Sequence, residues 1–359
     1  MQSDTSPLNV EKLNYRQRQV LYAAVTEYIA SGHAVSSRTL AKRYGLGLSA
    51  ASIRNVLADL EELGCLTQPH TSAGRVPTDI GFRVFVDALM RGPALRAKEE
   101  SEVTARLRRV YDGRQGGDFI SESGKVLASL TGAAAVITPP RAHDEVLQQM
   151  RYIALNSTQL LVILIMRSGS VQNRVVTTST PVQDSELERI HNYLEARVKN
   201  RTLEELHAML TDEMALDHGE YRALCAQTID MIDATLDSPS SKPQLVIEGQ
   251  GELLDRPEFS DAEKLRGLIR TLEEKERIAE LLHRTLTAKG VQVVIGSETQ
   301  LGSDTELSVI CANYGSQNSS GGTVGVIAPR RIDYGKVVPL VDLTARVMSD
   351  LLDPDATDE

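Results

Sequence analysis

The chain has 359 residues, 41% of them hydrophobic and 25% charged, the balance of a globular protein with room for two or three domains. No apolar run approaches the ~18 residues of a membrane span. Three dispersed cysteines, Cys65, Cys225 and Cys311, argue against a disulfide framework or a zinc knuckle and fit a reducing cytoplasm. The net charge of −10 is unevenly spread. Residues 12–83 hold nine Lys/Arg against five Asp/Glu, a local +4 that leaves −14 for the rest. A basic head on an acidic body points to a polyanion met by the head alone. The polar first ten residues lack the apolar core of a signal peptide.

In chain order, Leu21, Ala24, Val25, Tyr28 and Ile29 form the stripe of an amphipathic helix that Gly32 ends. Ser36 is placed to cap a second helix over 37–44, with Val35 packed on Leu40 as a staple. After the turn Gly45-Leu46-Gly47-Leu48 the device repeats. Ser49 caps a third helix to about residue 63, with Ile53, Val56, Leu57, Leu60 and Leu63 inward and Gly64 as its stop. Extended runs at 65–68 and 75–77 flank the turn-rich segment 69–74, and Thr78 caps a helix to about residue 90. Three helices followed by a hairpin is the order of a winged helix-turn-helix.

A linker centres on Arg91-Gly92-Pro93. Helices are expected over 99–110 and 120–130, then strands at 133–138, 150–155, 159–166 and 171–178. The pattern is helical from 185 to about 236. A loop at 237–243 precedes a strand at 244–248 and mostly helix over 262–288. Strands at 291–295, 307–312 and 323–327 and a helix near 341–352 complete the chain. Strands, a helical block and strands again imply an α+β domain carrying an insertion.

The candidate site is the outer face of the third helix. Opposite its apolar stripe lie Ala51, Asn55 and Ala58, with Arg54 on the flank. Small alanines let a helix approach a groove floor; Asn pairs bidentately with adenine, and Arg with guanine or phosphate. Ser49 and Ser52 at the helix start are suited to a phosphate, as are Ser36 and Arg38 at the start of the second helix. At the hairpin tip, Thr71, Ser72, Gly74 and Arg75 combine small hydroxyls, a glycine and a cation. They would lie along the DNA backbone or place Arg75 in a minor groove. On any helix an exposed Asn and Arg are ordinarily a solvated face; the helix-turn-helix context makes them a candidate reading surface.

Signs of an enzyme fail on inspection. Gly117 and Gly124-Lys125 have six intervening residues where a phosphate loop has four, and Val126 stands where Ser or Thr is needed. The seven histidines are scattered without metal-ligand spacing, and no acid, base or nucleophile cluster converges. Arg330, Arg331, Asp333 and Tyr334 read as a structural ion-pair corner.

The segments 49–55 (Ser-Ala-Ala-Ser-Ile-Arg-Asn) and 68–78 (Gln-Pro-His-Thr-Ser-Ala-Gly-Arg-Val-Pro-Thr) resemble the HrcA family of heat-inducible transcription repressors. The resemblance continues in Val246-Ile247-Glu248-Gly249, Pro257-Glu258-Phe259, Ile295-Gly296-Ser297-Glu298 and 328–334 (Ala-Pro-Arg-Arg-Ile-Asp-Tyr). Phe82, Ala328 and Ile332 depart from the family's usual Tyr, Gly and Met. The resemblance implies a winged helix domain (1–92), a GAF-like domain (93–180 and 291–359) and an inserted dimerisation domain (181–290). It implies a cytoplasmic homodimer that binds the CIRCE inverted repeat upstream of GroE chaperonin and DnaK genes, with the GroE chaperonin as modulator. No catalytic residue, metal or cofactor, membrane association or small-molecule ligand is expected. A repressor sensing a metabolite through the GAF-like domain is the alternative.

Overall fold

The computed structural model describes residues 13–352 except 71–72, 91–96, 112–115, 140–145, 168–170, 179–180, 217–219, 237–244, 286–289, 302–305 and 316–320. The expected linker at 91–93 lies outside the described residues.

The chain opens with α1 (Tyr15–Ser31), α2 (Ser37–Arg43) and α3 (Ala50–Glu62), followed by β1 (Leu66–Thr67), β2 (Val76–Pro77) and α4 (Asp79–Leu89). Each helix starts at a side chain that accepts an otherwise orphan N–H. Asn14 accepts from Gln17 N, while the Gln17 side chain accepts from Asn14 N. Ser36, Ser49 and Thr78 accept from Thr39 N, Ser52 N and Gly81 N. The capping box explains why α1 starts several residues before the apolar stripe. Gly32, with φ of 71°, ends it in the left-handed conformation. The stripes converge on Val20, Leu21, Leu40, Ile53, Leu60, Leu66 and Phe82, all buried.

The remainder comprises α5 (Ala97–Tyr111), α6 (Gly116–Thr131), β3 (Ala134–Thr138), β4 (Leu147–Ala154), β5 (Gln159–Met166), β6 (Val171–Thr177), α7 (Asp184–Val198), α8 (Leu203–Leu216) and α9 (Glu220–Leu236). Then follow β7 (Val246–Glu248), α10 (Gln250–Leu254), α11 (Ala262–Glu273), α12 (Lys275–Thr285), β8 (Gln292–Ile295), β9 (Leu307–Tyr314), β10 (Gly322–Pro329) and α13 (Tyr334–Leu352). The α13 helix begins well before the expected residue 341, because Pro339 lies inside it and masks its first turns as a helical pattern.

A five-stranded antiparallel sheet runs β7-β3-β10-β9-β8. One face, with Ala135, Ile137, Val324 and Val326, shares a core with α13 and with the N-terminal helices. The other, with Val136, Val309 and Ile327, is covered by Leu268, Leu272, Ile278 and Leu282 of α11 and α12. Burial on both faces is why β3, β9 and β10 read as continuous apolar runs rather than alternating ones.

The domain boundaries expected from the sequence shift. Strands β4, β5 and β6 form a separate three-stranded sheet and share a core with α7, α8 and α9. They belong with the helical block, not with the flanking body. Conversely, residues 245–285 supply β7 to the five-stranded sheet and α11 and α12 to its cover. An apolar pattern identifies a strand but not its partners, so residue order left open which sheet each strand joins. Two polar links hold the smaller unit together. The buried Arg174 donates to Thr235 O at 2.8 Å in the last turn of α9, where a helix favours a cation. The Tyr152 N–H on the edge strand β4 donates to His191 Nε2 at 2.9 Å.

Candidate nucleic-acid interface

Buried Ile53, Leu57 and Leu60 fix the rotation of α3. Ala51, Ser52, Arg54 and Asn55 are therefore exposed together, and Ala58 is half-buried at the edge of that face. Ser36, Arg38 and Ser49 are also exposed. The Ser36 and Ser49 hydroxyls serve as caps, and each lies within about 3 Å of a second hydroxyl, that of Thr39 or Ser52. The start of α3 thus carries two hydroxyls beside helix N–H groups, a setting that suits an anion.

The connection from α1 to α3 is held from inside. Glu27, buried on α1, accepts from Arg43 Nη1 at 2.7 Å and from the Tyr44 hydroxyl at 3.1 Å. Burial, and then the Glu27 carboxylate, push the Tyr44 phenol above its ordinary pKa. The α2–α3 turn is therefore anchored to α1. Sequence reasoning had no signal for Glu27 beyond an acid in an otherwise apolar stripe.

The hairpin differs from expectation at two residues. Arg75 lies at its base rather than its tip. Its backbone exchanges hydrogen bonds with Val35, at 2.8 and 2.9 Å. Its guanidinium closes on Glu61 of α3, Nη2 to Oε2 at 2.7 Å and Nε to Oε2 at 3.0 Å. Gly74 is required by close approach, since a Cβ there would collide with the Val35 carbonyl. On either side of the tip, Ala73 N donates to His70 O and the Gln68 side-chain amide donates to Ala73 O. Thr71 and Ser72 lie outside the described residues. Residue types could not show that Glu61, fourteen positions earlier, would hold the cation.

A second constellation lies where the N-terminal helices meet the five-stranded sheet. Asp79, the first residue of α4, accepts from Ser297 N at 3.0 Å, Ser297 Oγ at 2.9 Å and Arg330 Nη1 at 2.5 Å. Arg83, one turn on, donates to Val293 O and pairs with Glu298. Arg331 pairs with Glu258 and donates to Ile29 O in the last turn of α1, at 3.1 Å. Phe82, fully buried, packs between Tyr28 and Tyr334 and lies under the Arg330 guanidinium. Burial opposes ionisation of Asp79, but the Ser297 N–H, the Arg330 guanidinium and the Ser297 hydroxyl outweigh it and hold the carboxyl below its usual range. Arg330 and Arg331 are ion-paired as the sequence suggested, yet their partners lie on remote segments.

No helix among the described residues is long and apolar enough to cross a membrane. No group of three or more His, Cys, Asp or Glu suited to a metal ion occurs among them. A family model described as "HrcA protein C terminal domain" matches residues 117–338, more than half of the chain. The chain belongs to the HrcA family. The heat-inducible transcription repressor HrcA of Sorangium cellulosum is 44% identical over 341 residues, covering 94% of this chain and 98% of that protein. HrcA of Geobacter sulfurreducens is 37% identical over 343 residues, covering 95% and 98%. HrcA relatives are thus named as transcription repressors, and the family is one of heat-inducible regulators rather than enzymes. A crystal structure of a hypothetical protein at 2.2 Å is similar in fold, with a TM-score of 0.58 at 23% identity, covering 95% of this chain and 99% of that one.

Proposed function

We propose that this HrcA-family repressor binds the CIRCE inverted repeat as a cytoplasmic homodimer and blocks transcription of GroE chaperonin and DnaK operons until heat shock. In this reading residues up to about 90 are a winged helix-turn-helix. Residues 97–139 and 245–352 form a GAF-like body, and residues 147–236 are the inserted dimerisation unit. The GroE chaperonin acts as modulator.

The observation that carries the reading is the exposed face of α3. A helix anchored by Ile53, Leu57 and Leu60 presents Ala51, Ser52, Arg54 and Asn55 to solvent. Inserted in a major groove, it has Asn55 and Arg54 for base edges, Ala51 and Ala58 for close approach, and Ser36, Arg38, Ser49 and Ser52 for phosphates. The wing residues Thr71, Ser72 and Gly74 follow the backbone, with Arg75 bracing the wing from its base.

Dimerisation is supported by the sheet of the inserted unit. Its outer face carries the cross-strand row Ile153, Leu161 and Val175 and the pair Ile165 and Val171. The row Arg151, Ile163 and Asn173 lies between them; Ile153 is 46% exposed and Val171 59%, and exposed apolar side chains grouped in this way mark an interaction surface. A two-fold dimer matches a two-fold operator.

The test is a gel-shift titration of the purified protein with the inverted repeat and with a scrambled duplex of equal length. Selective retardation of the repeat, with protection of both half-sites in a footprint, is expected. Equal affinity for the two duplexes overturns the proposal.

A further inference from the structure

Two segments that play no part in the exposed face of α3, Gly296-Ser297-Glu298 and the Arg330-Arg331 turn after β10, meet α1 and α4, and Glu258 of Pro257-Glu258-Phe259 backs Arg331. Gly296 has φ of 53°, and a Cβ there would strike the Asp79 carboxylate. The turn is therefore shaped around that residue: Ser297 donates to Asp79 twice, and the Glu298 carboxylate takes both Arg83 and its own Ile295 N–H. Arg330 and Arg331, adjacent in the chain, diverge to the two helices that frame the head. Arg330 goes to the acidic start of α4, and Arg331 to the carbonyl end of α1. Asp79 at the start of α4 and Arg331 at the end of α1 each sit where the helix dipole favours their charge, and Arg330 is held beside the α4 terminus by the Asp79 carboxylate. A collision of Arg331 with any Cβ at Gly32 shows how closely the α1 terminus is seated. The aromatic contacts Tyr28–Phe82 and Phe82–Tyr334 run through the same seam. Head and body also share a continuous apolar core, which joins them without specifying an angle; the directional contacts of these part-buried pairs add that specification.

We propose that this seam fixes the orientation of the reading head on the body, so that Asp79, Arg83, Ser297, Glu298 and Arg330 are positioning residues for operator recognition. They touch no DNA. They set the distance and angle between the two copies of α3 in a dimer, and hence the half-site spacing the repressor accepts. The inference presupposes that the chain reads an inverted repeat. With the seam intact, the second half-site is engaged at a high effective concentration only at the matching spacing. With the seam loosened, the heads reach a range of spacings at lower effective concentration.

The experiment measures binding of the full chain to three duplexes: the inverted repeat, the same repeat with about five base pairs (roughly half a turn) inserted in the spacer, and one isolated half-site. The proteins are wild type, the Arg83→Ala/Arg330→Ala double variant and the milder Glu298→Gln variant. Wild type should lose affinity at least about tenfold on the lengthened spacer. The double variant should bind the natural repeat about tenfold more weakly, bind the half-site as wild type does, and discriminate between spacers by less than about threefold. Glu298→Gln should lie between. Half-site binding reports a folded head; if the double variant lacks it, Glu298→Gln decides. Unchanged spacer discrimination in a variant that retains half-site binding overturns the proposal. Failure of wild type to prefer the repeat over the half-site would instead overturn the operator reading.

Discussion

The Arg75 guanidinium places Nε and Nη2 on one carboxylate oxygen of Glu61, and the two side chains are only 22% and 33% exposed. Arg75 thus ties the hairpin to the C-terminal half of α3, and its charge is largely answered within the protein. A half-exposed pair of this kind contributes about 1 kcal/mol or less. Glu61→Gln is expected to free the cation. Its salt-dependence plot on duplex DNA should steepen by up to about one counterion, with tighter non-sequence-specific binding. Arg75→Ala should lower head stability slightly and change the salt slope by less than one. Titrations at several salt concentrations check both, and a full unit of slope lost in Arg75→Ala would make Arg75 a direct phosphate contact.

Asn55 sits on the exposed face of α3, one turn beyond Ala51. Asn55→Ala should leave thermal stability within about 0.5 kcal/mol, as for other surface substitutions. It should cost about 1–3 kcal/mol of operator affinity while scrambled duplex binds as before. Competition with operators substituted one base pair at a time should show tolerance at one position per half-site. Uniform weakening across all sequences would move Asn55 from base reading to backbone contact.

The row Ile153, Leu161 and Val175 lies across all three strands of the smaller sheet. A lysine at Ile153 leaves the buried face untouched but puts a charge in the apolar row Ile153, Leu161 and Val175. Ile153→Lys should convert the dimer to monomer in light scattering at micromolar concentration, with an unchanged far-ultraviolet spectrum. Operator affinity should fall with it, while half-site affinity persists. A variant that remains dimeric places the interface elsewhere.

His191 holds the edge of the same unit. Burial first, and then the nearby Arg151 guanidinium, push its imidazole below the ordinary pKa; Glu188 opposes them. The neutral ring accepts the Tyr152 N–H. A histidine depressed in the folded state has its full stabilising effect above its unfolded pKa of about 6.5. The effect is lost as pH falls from there through the lower folded value. The thermal midpoint should therefore decline as pH falls below about 6.5, and His191→Gln, which retains an acceptor without titrating, should flatten the decline. An equal decline in both proteins would assign it to other groups.

What could be read from residue order alone was local. The caps Ser36, Ser49 and Thr78, the stop at Gly32 and the rotation of α3 follow from hydrogen-bond needs and apolar spacing within a dozen residues. These interactions are satisfied inside one segment, so the segment encodes them. The partners of Asp79, more than 200 positions away at Ser297 and Arg330, are of another kind, as are the sheet that β4, β5 and β6 join and the capture of Arg75 by Glu61. Each depends on which surfaces collapse together. One carboxylate or one alternating strand has many compatible mates, and only the packed chain selects among them.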